Sequence, residues 1–343
     1  MPRPRYGWTV PYLVSRPSEY TYAPAWWVPG AHLRTLWGKF VRRISLETRC
    51  ERWNTPDGDT LELQRIDAPL DAVGSPPRLL VLHGLEGTIR SHYLLGVLSR
   101  AEQLGWSADA LIFRSCNGEV TRARRLYHSG ETTDLDFVVE RLVQENPGQS
   151  LVLAGFSLGG NVLLKWLGER SGTLPSEVRG AVAVSVPFDL ERGSRFIEHG
   201  FGRVYTRHFL HTLKAKARAK LARDPGLFDP GAMERARTLY EFDDAVTAPL
   251  HGFKDAHDYY ARSSSLGYLA SIRCPTLLLS AYDDPFLPAE VLHEVRDIAA
   301  ANAFLTAEFH TLGGHVGFVA GSSPLAPSYY AEERIFDFLT ARI

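Results

Sequence analysis

Five residues in the middle of the chain, Gly155-Phe156-Ser157-Leu158-Gly159, place a serine hydroxyl between two glycines. An apolar run over residues 151–154 precedes this motif, and a helical pattern over residues 161–170 follows it. The bare pattern arises by chance in roughly one chain in ten of this length, and Gly with Ser is ordinary turn composition. A strand before the motif and a helix after it are what a nucleophilic serine on a sharp turn requires. The context therefore predicts that Ser157 is a nucleophile.

A nucleophilic serine needs a base, which in this strand–turn–helix arrangement comes late in the chain. Nine of the twelve histidines precede the late strands. Of the other three, His293 lies in a helical pattern, His310 ends a predicted strand, and His315 lies in the loop "LGGHVGF". Two glycines before His315 leave an imidazole free to reach over the edge of a sheet. We predict His315 as the base, with His310 as the alternative.

The base in turn needs a carboxylate that orients it. In "LLLSAYDDPFLP", Asp283 and Asp284 directly follow an apolar strand. An aspartate at such a position is often only a turn or cap residue, and two in a row favour that interpretation for one of them. The spacing to Leu287 and Pro288 favours Asp284 as the acid, and Asp283 stays the alternative.

The oxyanion of an acyl-transfer intermediate needs amide donors, each worth on the order of 10²–10³ in rate. One predicted donor is the backbone N–H of Leu158, directly after the nucleophile. The other is the N–H of Leu85 in "LHGLEG", where Gly84 lets the chain bend after an early strand. The alternative for this second segment is an ordinary turn at the end of a strand.

The elements around these residues predict a mostly parallel sheet covered by helices on both faces. After a hairpin-like segment at residues 52–67, short apolar runs alternate with amphipathic stretches up to residue 187, which is typical of a parallel sheet buried on both sides. Between residues 189 and 271 only helical patterns occur, and the alternation then resumes. Because ligands bind at the carboxyl edge of such sheets, we predict that this insertion forms a lid.

We expect one domain over residues 1–343. It comprises an N-terminal arm (1–50), a core (51–188 and 272–343) and the helical lid insertion (189–271). The arm is rich in Trp, Tyr and Pro and shows weak periodicity. Its aromatic side chains either belong to the core or line an acyl pocket.

Composition excludes several classes of function. The net charge of −1 over 343 residues provides no global field to attract nucleic acid or an anionic membrane. Three scattered cysteines favour a reducing compartment, so we expect a cytoplasmic protein. No apolar run reaches 18 residues, and the N-terminus "MPRPRYGWTVPYLV" lacks the apolar stretch of a signal peptide. No metal-binding or phosphate-cradling motif occurs, so we expect no metal and no cofactor.

Two further features have alternative interpretations. Within the predicted lid, residues 209–223 form a basic amphipathic helix. Such a helix either packs on one face with the other solvated, or contacts anionic lipid weakly. Cys116 follows a strand and either lies near the site or, as we expect, is a buried, inert thiol. The apolar stripe of the basic amphipathic helix at residues 209–223 contains Phe209, Leu213, Ala217 and Leu221. Its cations Lys214, Arg218 and Arg223 lie largely away from that stripe.

Eight segments in the observed order resemble the YheT-like branch of the α/β-hydrolase superfamily. They are "GAHLRTL", "HGLEG", "FRSCNGE", "RLYHSGETTDL", "GFSLGGN", "FDDAVTAPLHGF", "DDPF" and "GGHVGF". The resemblance implies an α/β-hydrolase fold and esterase- or lipase-type hydrolysis, with eukaryotic relatives acting on glycerolipids and phospholipids, and some fungal relatives forming or cleaving medium-chain acyl esters. Ser157, Asp284 and His315 fall on the triad motifs of that family. The chain departs from the family at Ser115, where a glycine is expected, and lacks the membrane anchor of many eukaryotic relatives.

These observations predict a serine carboxylic-ester hydrolase acting on a small-molecule substrate, a short- to medium-chain acyl or lipid-like ester. The same residues would serve an acyltransferase in which an alcohol replaces water. A hydrolase-like binding protein without catalysis is the alternative outside enzymes. Acyl chain length and head group depend on pocket shape, which the spacing of motifs does not encode.

Overall fold

The computed structural model describes residues 21–69 and 74–343. The expectation about the N-terminal segment "MPRPRYGWTVPYLV" lies outside the described residues. The prediction of a mostly parallel sheet flanked by helices is confirmed. An eight-stranded sheet has the order β1-β2-β4-β3-β5-β6-β7-β8. Its strands are β1 Arg49–Asn54, β2 Thr60–Ile66, β3 Arg78–Leu82, β4 Ser107–Ile112, β5 Leu151–Phe156, β6 Val178–Val184, β7 Thr276–Ala281 and β8 Leu305–His310.

Strand direction follows from the lengths of the connections. The β1–β2 hairpin is antiparallel, and β2 pairs antiparallel with β4. From β4 to β8 every neighbouring pair is parallel, because each connection is long enough to cross over the sheet. All residues of β3, β4, β5 and β7 are buried, as expected for strands covered on both faces.

Among the described residues, six α-helices lie outside the insertion. They are α1 Ala31–Val41, α2 His92–Gln103, α3 Thr133–Glu145, α4 Leu158–Arg170, α11 Ala289–Ala301 and α12 Tyr330–Thr340. A separate antiparallel hairpin, β9 Val319–Ser323 and β10 Ala326–Tyr329, precedes α12. This hairpin is absent from the sequence prediction, because its strands are short and partly exposed and show no clear alternation.

The insertion contains six α-helices, a 3-10 helix at Ser265–Ser271 and no strand. The α-helices are α5 Leu190–Phe196, α6 Gly202–Arg223, α7 Pro230–Arg235, α8 Leu239–Phe242, α9 Ala248–His251 and α10 Ala256–Ser263. A π-helical turn, Asp243–Thr247, joins α8 to α9. Apolar side chains of α6, α7, α8 and the π turn form a cluster of their own, separate from the cluster around the sheet.

The arm contains α1, which begins at Ala31 after Gly30 with a positive φ of 78°. The Trp27 and Trp37 rings pack edge to face with centroids 4.8 Å apart. Both belong to a small cluster around Val28 and Val319 of β9. The arm is therefore held partly by the hairpin that the sequence pattern does not reveal.

Candidate active site

Ser157 lies at the turn between β5 and α4. Its φ of 51° and ψ of −120° are strained for a residue with a side chain. The flanking glycines permit this turn, since a Cβ on Gly155 would lie 2.6 Å from the carbonyl oxygen of Gly159. A Cβ on Gly159 would lie 2.4 Å from the carbonyl oxygen of His83. The close approach of backbone to backbone therefore requires glycine on both sides of the half-buried Ser157.

His315 and Asp284 are hydrogen-bonded to each other. The imidazole Nδ1 donates to Asp284 Oδ2 at 2.8 Å, and both residues are buried. The other carboxylate oxygen accepts the backbone N–H of Phe286 at 2.8 Å. The Phe286 ring stacks on the imidazole with centroids 4.2 Å apart. These contacts hold the tautomer with hydrogen on Nδ1 and leave Nε2 as a proton acceptor.

Asp283, the alternative acid, has a different set of partners. One carboxylate oxygen accepts the N–H groups of Gly313 and Gly314 at 2.7 and 2.8 Å. The other accepts from the buried guanidinium of Arg34 at 3.3 Å. Asp283 thus shapes the loop that carries His315 and does not contact the imidazole through a hydrogen bond.

The alternative base, His310, and the helical His293 lie elsewhere. His310 contacts Glu308 Oε1 at 3.0 Å and packs edge to face against the Tyr330 ring. His293 lies on α11 against the Tyr282 ring, with centroids 5.4 Å apart. Neither lines the cavity at Ser157, whereas His315 does.

Helix α1 supports the His315 loop, a contact that the sequence analysis missed. The backbone N–H of His315 donates to Thr35 Oγ1 at 2.9 Å. A Cβ on Gly314 would lie 2.7 Å from the carbonyl oxygen of Ala31, and one on Gly317 2.5 Å from that of Arg34. The three glycines of "LGGHVGF" are the feature of the sequence that could have predicted this contact, because they permit a helix to pack directly on the loop backbone.

The turn after β3 brings the predicted Leu85 donor to the same cavity as Ser157 and Leu158. A Cβ on Gly84 would lie 3.2 Å from the Ser157 Cβ, so the two turns are in contact. Leu158 is the first residue of α4, where N–H groups lack intrahelical acceptors. Within the described residues, neither the Leu85 nor the Leu158 N–H has a protein acceptor.

His83 holds the shape of this turn. Its Nδ1 donates to the carbonyl oxygen of Gly84 at 2.7 Å, and its Nε2 accepts the N–H of Phe113 at 3.1 Å. Complete burial lowers the pKa of His83 to about 4, since desolvation disfavours the imidazolium. His83 is therefore a neutral structural residue at physiological pH.

Lys216 of α6 connects the insertion to the turn after β3. Its Nζ lies 2.7 Å from Glu86 Oε1, which also accepts the Tyr127 hydroxyl at 2.6 Å. Glu86 directly follows Leu85, so this ion pair anchors the segment that carries a predicted oxyanion donor. The sequence offered no signal for it, because the two residues are 130 positions apart. Cys116 lies 3.1 Å from the same Nζ, and burial raises the pKa of its thiol to about 11.

The cavity at Ser157 has a volume of about 720 Å³. Elements of the arm, the core and the insertion all contribute to its wall. The described tryptophans of the arm are not among its lining residues, although Thr35 and Leu36 of α1 are. Apolar lining side chains include Leu36, Leu95, Phe209, Leu213, Phe242 and Leu250.

Of the cations predicted to lie on the solvated face of α6, Arg218 and Arg223 are exposed and Lys214 is half-buried, and all three also bond to the protein. Lys214 Nζ donates to the carbonyl oxygens of Glu234 and Ala236, and Arg218 pairs with Glu234. Arg223 donates to the carbonyl oxygen of Val120 at 3.2 Å. The second half of α6 is therefore a packed helix, and these three cations already have hydrogen-bond or ion-pair partners within the protein.

Ser115 occupies the position where a glycine was expected. Its φ of 62° lies in the left-handed region that favours glycine. Its hydroxyl accepts the N–H of Thr121 at 3.1 Å, which fixes the local turn. The departure thus concerns backbone geometry and leaves the His315–Asp284 pair untouched.

The α/β hydrolases are a class defined by a mostly parallel sheet with a strained serine between a strand and a helix. In these proteins an acid and a histidine follow the serine in the chain. A family model described as alpha/beta hydrolase fold matches residues 77–318. Among the described residues, no group of three or more His, Cys, Asp or Glu side chains is placed to hold a metal ion. None of the described helices is both long and apolar enough to span a bilayer.

Similarity to three known proteins shows which branch of the α/β hydrolases the chain resembles. "Putative esterase YheT" of Escherichia coli (strain K12) is 38% identical over 94% of each chain. "Phospholipase ABHD3" of Mus musculus is 28% identical over 92% of this chain and 77% of its own. "Monoacylglycerol lipase" of Saccharomyces cerevisiae is 30% identical over 78% of this chain and 60% of its own. This chain belongs to the YheT-like branch of the α/β-hydrolase family, whose members are esterase- and lipase-type hydrolases.

Proposed function

We propose that this protein is a serine hydrolase of carboxylic esters. The observation that carries the proposal is the His315–Asp284 hydrogen bond at the cavity into which the strained Ser157 turn opens. An ordinary turn serine would have no need of a strained backbone or of a buried, oriented imidazole beside it. The three residues follow the chain order serine, acid, histidine that this class uses.

In the proposed reaction, Ser157 Oγ attacks the ester carbonyl while His315 Nε2 takes the hydroxyl proton. Asp284 accepts the hydrogen bond from Nδ1 and stabilises the imidazolium that forms. The Leu85 and Leu158 N–H groups donate to the oxyanion of the tetrahedral intermediate. The imidazolium then protonates the departing alcohol as the C–O bond breaks, which leaves an acyl ester on Ser157. A water molecule, deprotonated by His315, releases the acid and restores the serine.

The cavity supports an acyl or lipid-like substrate of short to medium chain length. Its largely apolar wall suits a hydrocarbon chain, and a volume of about 720 Å³ lies in the range of small-ligand pockets. The names of the relatives, an esterase, a phospholipase and a monoacylglycerol lipase, agree on an acyl ester and differ in the head group. We therefore propose an acyl ester as the substrate class.

The test compares p-nitrophenyl esters from acetyl to palmitoyl with the wild-type protein and Ser157→Ala. We expect the wild type to hydrolyse a subset of chain lengths, and the variant to lose activity by about 10⁴-fold or more. A fluorophosphonate should label the wild type alone. Absence of both hydrolysis and labelling in folded wild-type protein would refute the proposal, and ethyl esters formed in added ethanol would reassign it to acyl transfer.

A further inference from the structure

Helix α1 and the first half of α6 lie side by side at the cavity. His32 Nδ1 is 3.2 Å from the Tyr205 hydroxyl, and the His32 and Phe201 rings have centroids 4.6 Å apart. Seven residues further along α1, Lys39 Nζ is 3.4 Å from Nε2 of His208. Side chains at both ends of α1 therefore contact the first half of α6. Lys39, Tyr205 and His208 also line the cavity, so the helix pair borders its opening.

This helix pair exposes an unusual amount of apolar side chain. On α1, Leu33, Phe40 and Val41 are 54%, 63% and 50% exposed. At the start of α6, Phe201, whose ring contacts His32 of α1, and Val204 are 48% and 53% exposed. The spacings i, i+7, i+8 and i, i+3 place each set on one side of its helix. Exposed apolar patches of this kind mark surfaces that bind a partner or a membrane.

The same surface is cationic and has no acidic residue nearby in the chain. Residues 31–46 and 200–223 contain neither Asp nor Glu. The exposed cations of the pair are Lys39, Arg43, Arg203 and Arg207, and within the described residues none of the four forms a salt bridge. We call these four cations and the five exposed apolar side chains Leu33, Phe40, Val41, Phe201 and Val204 the docking face.

We propose that the docking face binds the surface of an anionic phospholipid bilayer. Apolar side chains inserted at the boundary between head groups and acyl chains, flanked by cations that meet lipid phosphates, are the two elements of interfacial binding. The binding is peripheral, and it turns the opening of the cavity toward the membrane. This proposal concerns binding alone and does not depend on the proposed reaction.

Charge argues against a second copy of this chain as the occupant. A twofold interface brings the same surface of two protomers together, which here would oppose the four cations of one protomer to those of the other. The second half of α6 does not extend the docking face, because Lys214 and Arg218 are bonded to α7 residues or their neighbours. The proposed contact is thus confined to α1 and the start of α6.

The test is sedimentation of the protein with phosphatidylcholine vesicles that contain or lack phosphatidylglycerol. One variant, Arg203→Gln with Arg207→Gln, removes two cations that do not line the cavity. At about 1 kcal/mol per cation near an anionic surface, we expect about 30-fold weaker binding. A second variant, Leu33→Gln with Phe40→Gln and Val204→Gln, should weaken binding by about tenfold or more. The matched control is Arg179→Gln with Leu325→Gln, which changes an exposed cation and an exposed leucine outside the face.

Support consists of binding that requires phosphatidylglycerol, weakens with added salt, and falls in both face variants but not in the control. All variants should keep the wild-type circular dichroism spectrum and thermal unfolding curve. Equal binding to both vesicle types, or binding that the face variants retain, would overturn the proposal. A wild-type dimer in analytical ultracentrifugation that the apolar variant dissociates would also overturn it, because the face would then belong to a second copy.

Discussion

The two adjacent aspartates permit a sharp test of the proposed chemistry, since only one contacts the imidazole. In Asp284→Asn the neutral side chain no longer stabilises the imidazolium, and an amide NH₂ facing Nδ1 would favour the tautomer with hydrogen on Nε2. Asp284 is buried, so water does not replace the lost carboxylate. Loss of the orienting carboxylate in a serine triad costs about 10⁴-fold in kcat, which corresponds to about 5 kcal/mol of transition-state stabilisation.

Asp283→Asn is the matched control. The asparagine oxygen still accepts the N–H groups of Gly313 and Gly314, so the His315 loop keeps its shape. The charge opposite Arg34 is lost. The amide NH₂ that replaces the other oxygen cannot accept from Arg34, so a buried guanidinium loses its carboxylate partner. We therefore expect a loss of about 3 kcal/mol in the free energy of unfolding. The kcat should fall by less than about tenfold.

The assay measures kcat on a saturating p-nitrophenyl ester together with urea unfolding of each variant. We expect a large catalytic loss with little loss of stability for Asp284→Asn, and the reverse for Asp283→Asn. If Asp283→Asn lost as much kcat as Asp284→Asn at unchanged stability, the assignment of the acid would be refuted.

Three further variants probe the frame of the site. Gly159→Ala should destabilise the protein by about 3 kcal/mol in urea unfolding, because the new Cβ would meet the carbonyl oxygen of His83 at 2.4 Å. Lys216→Met should lower kcat about tenfold with little change in KM, as the anchor of Glu86 is lost, and Lys216→Arg should restore most of the rate. Burial raises the pKa of Asp243 to about 6 from 3.8, so its contribution to stability is present at low pH and is lost as pH rises through about 6. Asp243→Asn should therefore remove about 1 kcal/mol of the wild-type fall in unfolding free energy between about pH 5 and about pH 8.

Each of these three predictions would be contradicted by a specific result. Native stability in Gly159→Ala would show that the turn can open to accept a side chain. Equal rates for Lys216→Met and the wild type would confine the ion pair to a structural role. An unchanged pH dependence in Asp243→Asn would show that this carboxyl titrates normally despite its burial.

Local patterns were enough to predict most of the sheet and the serine turn. Strand β5, the motif at Ser157 and helix α4 are contiguous in the chain. Each is predicted from the residue types within a few positions of one another. The alternation of apolar strands with amphipathic helices likewise follows from burial on both faces of the sheet. These features depend on residues a few positions apart, so the amino-acid sequence by itself determined them.

Only the tertiary structure decided which side chains meet. Asp283 and Asp284 are adjacent and chemically identical, yet they bind different parts of one loop, since Asp283 accepts the N–H groups of Gly313 and Gly314 and Asp284 accepts from the His315 imidazole. The support of the His315 loop by Thr35 joins residues 280 positions apart. The docking face likewise exists only because α1 packs beside α6. Such contacts depend on how distant elements pack in space, and no local spacing in the sequence encodes that packing.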